Sequence, residues 1–372
     1  MISRRGFVSG SLACFAARAA GAAARVDLSP SLATIIEQRG LPGLIAAAIE
    51  GDSVVAAGVA GRRRIDRPEP IAIDDLFHIG SNTKSMTATL CAMLVEEGRL
   101  AWNSTIGEVF GDVKSMRPQW HDVTLEQLLV NRGGMPATLD ADGLWRRLRA
   151  HKGTPTQARR TLLEGVVSAE PAAEPGSKFI YSNAGFAVAG HMAETVMGRP
   201  WEDLLHKRLF EPLGMRSTGF GAPGTSDAIT QPRGHTEKGK PVEPGPSADN
   251  PPAIGPAGTV HCSIPDYAKY LSMHIAGARG QGRLLKPESF ARMHAPAAGE
   301  KYAMGWVVEQ RPWGRGKVLV HAGSNTMWYL IAWVAPNVNF AFVAGSNQGG
   351  EAANKACDEA VLAAIRRTVG GV

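Results

Sequence analysis

The sequence predicts an α+β domain of layered α/β/α build. In it an antiparallel sheet is made from N- and C-terminal strands and flanked by helices, with a mostly helical region inserted. Three observations predict this. Two apolar runs, Leu44–Ile49 and Val54–Val59, flank a Gly51-Asp52 turn near the start of the chain and read as a hairpin. Strand-like runs return near the end, over Tyr302–Glu309, Lys317–His321, Met327–Val334 and Phe340–Ser346. Between these two groups the pattern is helical, broken by long Gly/Pro loops, the longest at about 221–258.

The individual elements follow in order. Ser29–Arg39 has helical spacing and stops at Gly40, a residue that suits a helix end. Ser81–Glu97 is the strongest helix, with Met86, Leu90, Met93 and Leu94 on one face. Ala352–Arg367 closes the chain as a helix. The expected organisation is a single catalytic domain over 25–372. Its α/β lobe covers about 25–80 and 300–372, and its helical lobe about 81–299. The junction of two such lobes is a natural place for a cleft.

Composition is that of an ordinary globular chain. Apolar residues make up 44% and charged residues 20% of 372, enough for a substantial core. Gly and Pro are scattered, and no repeat of 20–50 residues occurs, so fibrous and solenoid classes are excluded. The net charge is +6, and Arg4, Arg5 and Arg18 supply three of these charges, leaving about +3 for the rest. That balance does not point to a nucleic-acid partner. The Arg62-Arg63-Arg64 cluster is short and reads as a solvated turn.

The N-terminus has the layout of a secretory leader. Ser3-Arg4-Arg5 precedes an Ala-rich apolar run from Phe7 that ends at Ala22-Ala23-Ala24. The paired arginines fit the twin-arginine route. Residues 1–24 are therefore expected to be a signal peptide and the product to be exported, periplasmic or extracellular in a bacterium. The run is too weakly apolar for a membrane span, and Arg18 interrupts it. Once Cys14 is removed with the leader, Cys91, Cys262 and Cys357 remain, with no C-x-x-C. This pattern argues against a zinc or redox site and leaves one disulfide open.

Three short motifs carry chemistry. Ser81-Asn82-Thr83-Lys84 is the chain's one S-x-x-K and stands at a helix start, so Ser81 and Lys84 share a face. A serine hydroxyl needs an adjacent base, and a lysine amine serves once burial or nearby positive charge lowers its pKa. The helix N-terminus adds N–H groups suited to an oxyanion. Taken alone, Ser81 fits an N-cap and Lys84 a solvated residue just as well. Tyr181-Ser182-Asn183 is the one Y-x-N. Its tyrosine can relay a proton near Lys84, and its amide can hold a substrate carbonyl. His321-Ala322-Gly323-Ser324 ends a strand, where a glycine lets substrate backbone approach and the next N–H completes an oxyanion hole. H-x-G also occurs at His78 and His151, but only His321 ends a clear strand in the sequence.

In this order the three motifs resemble the serine β-lactamase-like superfamily: class C β-lactamases, D-alanyl-D-alanine carboxypeptidases and related esterases. Supporting text lies at Leu125–Met135, Pro175-Gly176, Phe210–Met215 and Pro256–Val260, so the resemblance spans roughly Leu28 to Arg367. It implies a β-lactamase/transpeptidase-like fold and a nucleophile at Ser81. Lys84 and Tyr181 would share its proton, Asn183 would position substrate, and the N–H groups of Ser81 and Ser324 would form the oxyanion hole. His321 would stand where most β-lactamases carry lysine. Histidine grips a carboxylate less reliably, which lowers the weight on β-lactam hydrolysis.

Other enzyme classes lack their signatures. G-x-S-x-G, H-E-x-x-H and Walker A are absent. G-x-G-x-x-G occurs at Gly219, Gly221 and Gly224, but it contains Pro223 and no apolar strand leads into it. No cofactor or metal is expected. The expected function is that of a serine hydrolase acting through an acyl-enzyme on an ester, amide or D-amino-acid peptide bond, in a small substrate that could derive from the cell wall. The alternatives are a class C-like β-lactamase and a penicillin-binding sensor that acylates without turnover. The natural substrate and the oligomeric state stay open.

Overall fold

A computed structural model describes residues 26–370. The leader 1–24, with Cys14, lies outside the described residues. The main sheet has seven strands: β1 Val26–Asp27, β2 Gly43–Glu50, β3 Ser53–Gly61, β9 Val307–Arg311, β10 Gly316–Ser324, β11 Tyr329–Ala335 and β12 Phe340–Ser346. Their order is β1-β3-β2-β12-β11-β10-β9, so strands from both ends of the chain meet in mid-sheet at β2 and β12. Every pairing is antiparallel except the two-residue β1–β3 ladder.

Side chains alternate across this sheet as strand geometry requires. Leu44, Ala46, Ala48, Phe342 and Ala344 face one layer, made of α1 (Ser29–Arg39) and the C-terminal helix Glu351–Thr368. Ile45, Ala47, Ile49, Ala341 and Val343 face the other layer, the large helical core around α2 (Thr83–Glu96). The alanines of β2 let helices approach closely on both faces. Gly40 ends α1 with φ +66, as its sequence position predicts.

The inserted region is helical but not purely so. Five further strands lie before β9: β4 Leu76–His78, β5 Gly219–Phe220, β6 Gly234–His235 with β7 Pro241–Val242, and β8 Val260–Ser263. β8 pairs with β4 and β5 in a small sheet, and β6 with β7 in another. Gly219–Phe220 belongs to that small sheet, and no helix follows Gly224 before residue 246, so the dinucleotide-like motif is a chance match.

Some expected boundaries move for identifiable reasons. The strand expected over Tyr302–Glu309 begins only at Val307. The chain first bends past α2 at Gly305, where φ is +81 and a Cβ would lie 2.5 Å from Ser85 Cα. The strand expected to end at His321 runs on to Ser324. The next strand starts at Tyr329 rather than Met327, after a turn in which Thr326 has φ +75.

No disulfide forms among the described residues: Cys91, Cys262 and Cys357 are buried free thiols. Burial pushes the Cys91 thiol up to about 12, so it is an inert core residue. Among the described residues no helix is long and apolar enough to cross a membrane.

Two buried histidines give the fold a pH signature. His274 Nδ1 and His294 Nε2 are 2.9 Å apart, enclosed by Tyr270, Phe290 and Trp306. Burial lowers His274 from 6.5 to about 3 and His294 well below its ordinary value. Above pH 6.5 both states of the chain are neutral at these sites. As pH falls below 6.5 the unfolded chain takes up protons that the native one refuses, so stability falls. Each histidine then costs about 1.4 kcal/mol per pH unit. Denaturant unfolding between pH 6.5 and 4.5 should show this slope, and replacing the pair by His274→Phe and His294→Leu should flatten it.

Candidate active site

Ser81 sits in a single 3₁₀ turn, Gly80–Asn82, wedged between β10 and α2. The α-helix itself begins two residues after the expected start at Ser81. Asn82 anchors this turn: its Nδ2 donates to Ile79 O (2.9 Å) and Leu330 O (3.1 Å), and its Oδ1 accepts from Tyr267 Oη (3.0 Å). Ser81 makes no cap bond. Its Oγ lies 3.0 Å from Lys84 Nζ, so the N-cap reading of Ser81 does not hold in the structure.

Lys84 is fully buried, and its amine has three neighbours at bonding distance: Ser81 Oγ at 3.0 Å, Asn183 Oδ1 at 2.7 Å and Ala257 O at 2.8 Å. Two of these are carbonyl oxygens, which only accept. In the neutral amine they take both N–H bonds, and the lone pair is left aimed at Ser81 Oγ. Burial lowers the Lys84 pKa, with Tyr181 opposing, which favours that neutral form. The Tyr181 ring centroid lies 4.8 Å from Nζ, and its side chain is 38% exposed, open to a substrate. Asn183 Oδ1 is engaged by Lys84, so only its Nδ2 is left for a substrate.

Two glycines bring the N–H donors together. Gly80 has φ +51, and a Cβ there would lie 2.4 Å from Ser324 N. A Cβ at Gly323 would lie 2.5 Å from Ser81 N and 2.1 Å from Ile79 O. The backbones of Ser81 and Ser324 therefore meet at a seam with no room for a side chain, a geometry that can cradle an oxyanion. Gly80→Ala should force this seam apart. The expected loss in kcat is about 10²-fold, measured on any ester the enzyme turns over.

His321 is buried within β10, not at its end. Its Nδ1 donates to Ala322 O at 2.8 Å, which leaves Nε2 as an acceptor. Burial first, then the charge of Lys84, lowers its pKa to about 3, so the ring is neutral at physiological pH. A neutral ring offers a carboxylate no charge, which goes further than the less reliable grip expected from the sequence. Tyr302, buried, packs edge-on against both Tyr181 and His321, with centroids 6.0 Å away in each case.

A supporting pair escaped sequence reasoning. His78 ends β4, although only His321 of the three H-x-G histidines was expected to end a strand. His78 Nδ1 accepts from Gly80 N (3.1 Å), and its Nε2 lies 2.8 Å from Asp249 Oδ1. Asn325 Nδ2 reaches the same carboxylate oxygen at 3.3 Å. The residue before Ser81 is thereby tied to the 245–258 loop and to the β10–β11 turn. The H-x-G at His78 was the available signal, and three-residue β4 was too short to register as a strand.

A family model described as Beta-lactamase matches residues 21–366. The chain belongs to the β-lactamase family. Within that family it is 28% identical to penicillin-binding protein 4 of Amycolatopsis lactamdurans, over 75% of this chain and 71% of that one. It is 24% identical to unguisins hydrolase ungD' of Aspergillus campestris over 86% of this chain, and it spans 61% of that relative's length. A solved D-stereospecific amidohydrolase from Streptomyces shares the fold, with TM-score 0.69 and 23% identity over 89% of this chain and 98% of that one. Relatives in this β-lactamase family thus include a protein named as a hydrolase.

Proposed function

We propose that this chain is a serine hydrolase working through a Ser81 acyl-enzyme on an ester, amide or D-amino-acid peptide bond. The observation that carries this reading is the Lys84 amine, whose two carbonyl partners leave its lone pair for Ser81 Oγ. In the proposed step Ser81 Oγ attacks the substrate carbonyl and its proton passes to Lys84 Nζ. The N–H groups of Ser81 and Ser324 receive the oxyanion. Tyr181, beside Nζ and open to the cleft, returns the proton to the leaving group. Water then hydrolyses the ester at Ser81, regenerating the hydroxyl and releasing the acid.

The neutral, acceptor-only His321 supports substrates without a carboxylate next to β10. The relatives' names fit hydrolysis in part: an unguisins hydrolase is named among them, beside a penicillin-binding protein. Export through the leader 1–24 belongs to the same proposal and is tested by N-terminal sequencing of the secreted product.

The experiment is a substrate panel on the purified protein. p-Nitrophenyl acetate and an N-acyl-D-amino-acid amide should turn over in the steady state. Nitrocefin and a D-Ala-D-Ala peptide, both with carboxylates, should show kcat/KM lower by about 10²-fold, in keeping with loss of a charge-assisted contact. A single burst of product with no steady state would identify a sensor instead. Faster turnover of the carboxylate substrates would overturn the role given to His321.

A further inference from the structure

Tyr181 is 38% exposed, and its ring is met by Tyr302 edge-on at 6.0 Å, by His321 tilted at 6.4 Å and by the Lys84 amine 4.8 Å from its centroid. These contacts leave one side of the ring open, and the backbone on either side of it is held by hydrogen bonds. Both peptide N–H groups that flank it, those of Ile180 and Ser182, end on one residue, Asn131. Ile180 N donates to Asn131 O at 2.8 Å, and Ser182 N donates to Asn131 Oδ1 at 3.0 Å.

Asn131 is suited to this position. It is buried at 3% exposure in the left-handed region, with φ +58, which asparagine adopts more readily than other non-glycine residues. Its side chain lies against the buried hydroxyl of Tyr302. The clamp also reaches Lys84. Ser182 Oγ accepts from Ala184 N at 3.1 Å and so caps the helix Asn183–Met197, whose first residue gives Oδ1 to Lys84 Nζ.

We propose that Asn131 is the positioning residue of this site, fixing Tyr181 and Asn183 together relative to Lys84 and Ser81. The inference rests on the acyl-enzyme reading above. Asn131→Gly is the informative variant, because glycine adopts the same φ without strain and keeps the carbonyl bond while losing Oδ1. The expected result is a fall in kcat of about 10- to 100-fold with KM within about twofold. The thermal midpoint should shift by no more than a few degrees. Asn131→Asp restores an acceptor for Ser182 N and should recover kcat to within about fivefold of the wild type. A wild-type kcat in folded Asn131→Gly overturns the proposal, as does equal loss in the two variants. Amide exchange on the wild-type protein is independent of variant folding: Ile180 and Ser182 should be protected together, and free-loop exchange at either overturns the clamp. Ser81→Ala run alongside separates the two ideas. If it keeps full activity, the acyl-enzyme reading fails; if it is dead while Asn131→Gly is normal, only the positioning role fails.

Discussion

Ser81→Ala should lower kcat by about 10⁴-fold or more on any substrate the protein turns over. The same variant should show no covalent adduct by intact-mass measurement after treatment with a fluorophosphonate, whereas the wild type gains one label. Fold should be unaffected. Ser81 Oγ bonds only Lys84, and the 3₁₀ turn is held by Asn82, whose side chain bonds three separate segments. Retention of both labelling and turnover in Ser81→Ala would falsify the nucleophile assignment. Loss of turnover with labelling retained would move the adduct to another residue.

The second large effect is expected at Lys84. Lys84→Met keeps the length and removes the amine, so kcat should fall by about 10³-fold or more. Its effect on stability should be small. The desolvation cost of the amine is removed, while Asn183 Oδ1 and Ala257 O lose their donor, so the thermal midpoint should shift by no more than a few degrees. The pH profile is the sharper reading. The wild-type kcat/KM should rise with pH as the Lys84 amine loses its proton. Burial places that rise below the 10.5 of a free lysine. In Lys84→Met this limb should be lost, leaving a rate nearly flat in pH apart from hydroxide attack. An unchanged acid limb in the variant would assign the base elsewhere.

The parts of this molecule that were legible from sequence are those written in side-chain periodicity. The hairpin β2–β3, helices α1 and α2 and strand β12 all declare themselves by alternation or by a 3.6-residue stripe. Less legible were elements defined by close backbone approach. Gly305 carries no pattern, and the motif at Gly323 gives no strand period, yet one delays β9 and the other lets β10 run past His321 against Ser81 N. Three- and four-residue strands such as β4 and β8 are too short to show a period.

The site divides in the same way. The residue types of Ser81, Lys84, Tyr181, Asn183, His321, Gly323 and Ser324 could be read from motifs, and the fold brings all of them together around Lys84 and the Gly80–Ser324 seam. The residues that set their geometry could not. Asp249 and Asn131 lie in irregular stretches with no period to mark them, and the charge state of His321 depends on burial that only tertiary structure provides.

The pairing of β2 with β12 has a consequence for synthesis. Ser81 is made early, but Gly323 and Ser324, which close its oxyanion seam, come about 240 residues later. The strand that seats the early half of the sheet, β12, comes later still. A chain emerging from the ribosome therefore carries Ser81 with no finished seam around it until nearly the whole chain has been released. Folding is expected to be correspondingly slow, because the central ladder joins segments far apart in sequence. Until β12 arrives, β2 is an unprotected apolar edge. On the proposed reading, reactivity and the burial of that edge are gained in the same late event.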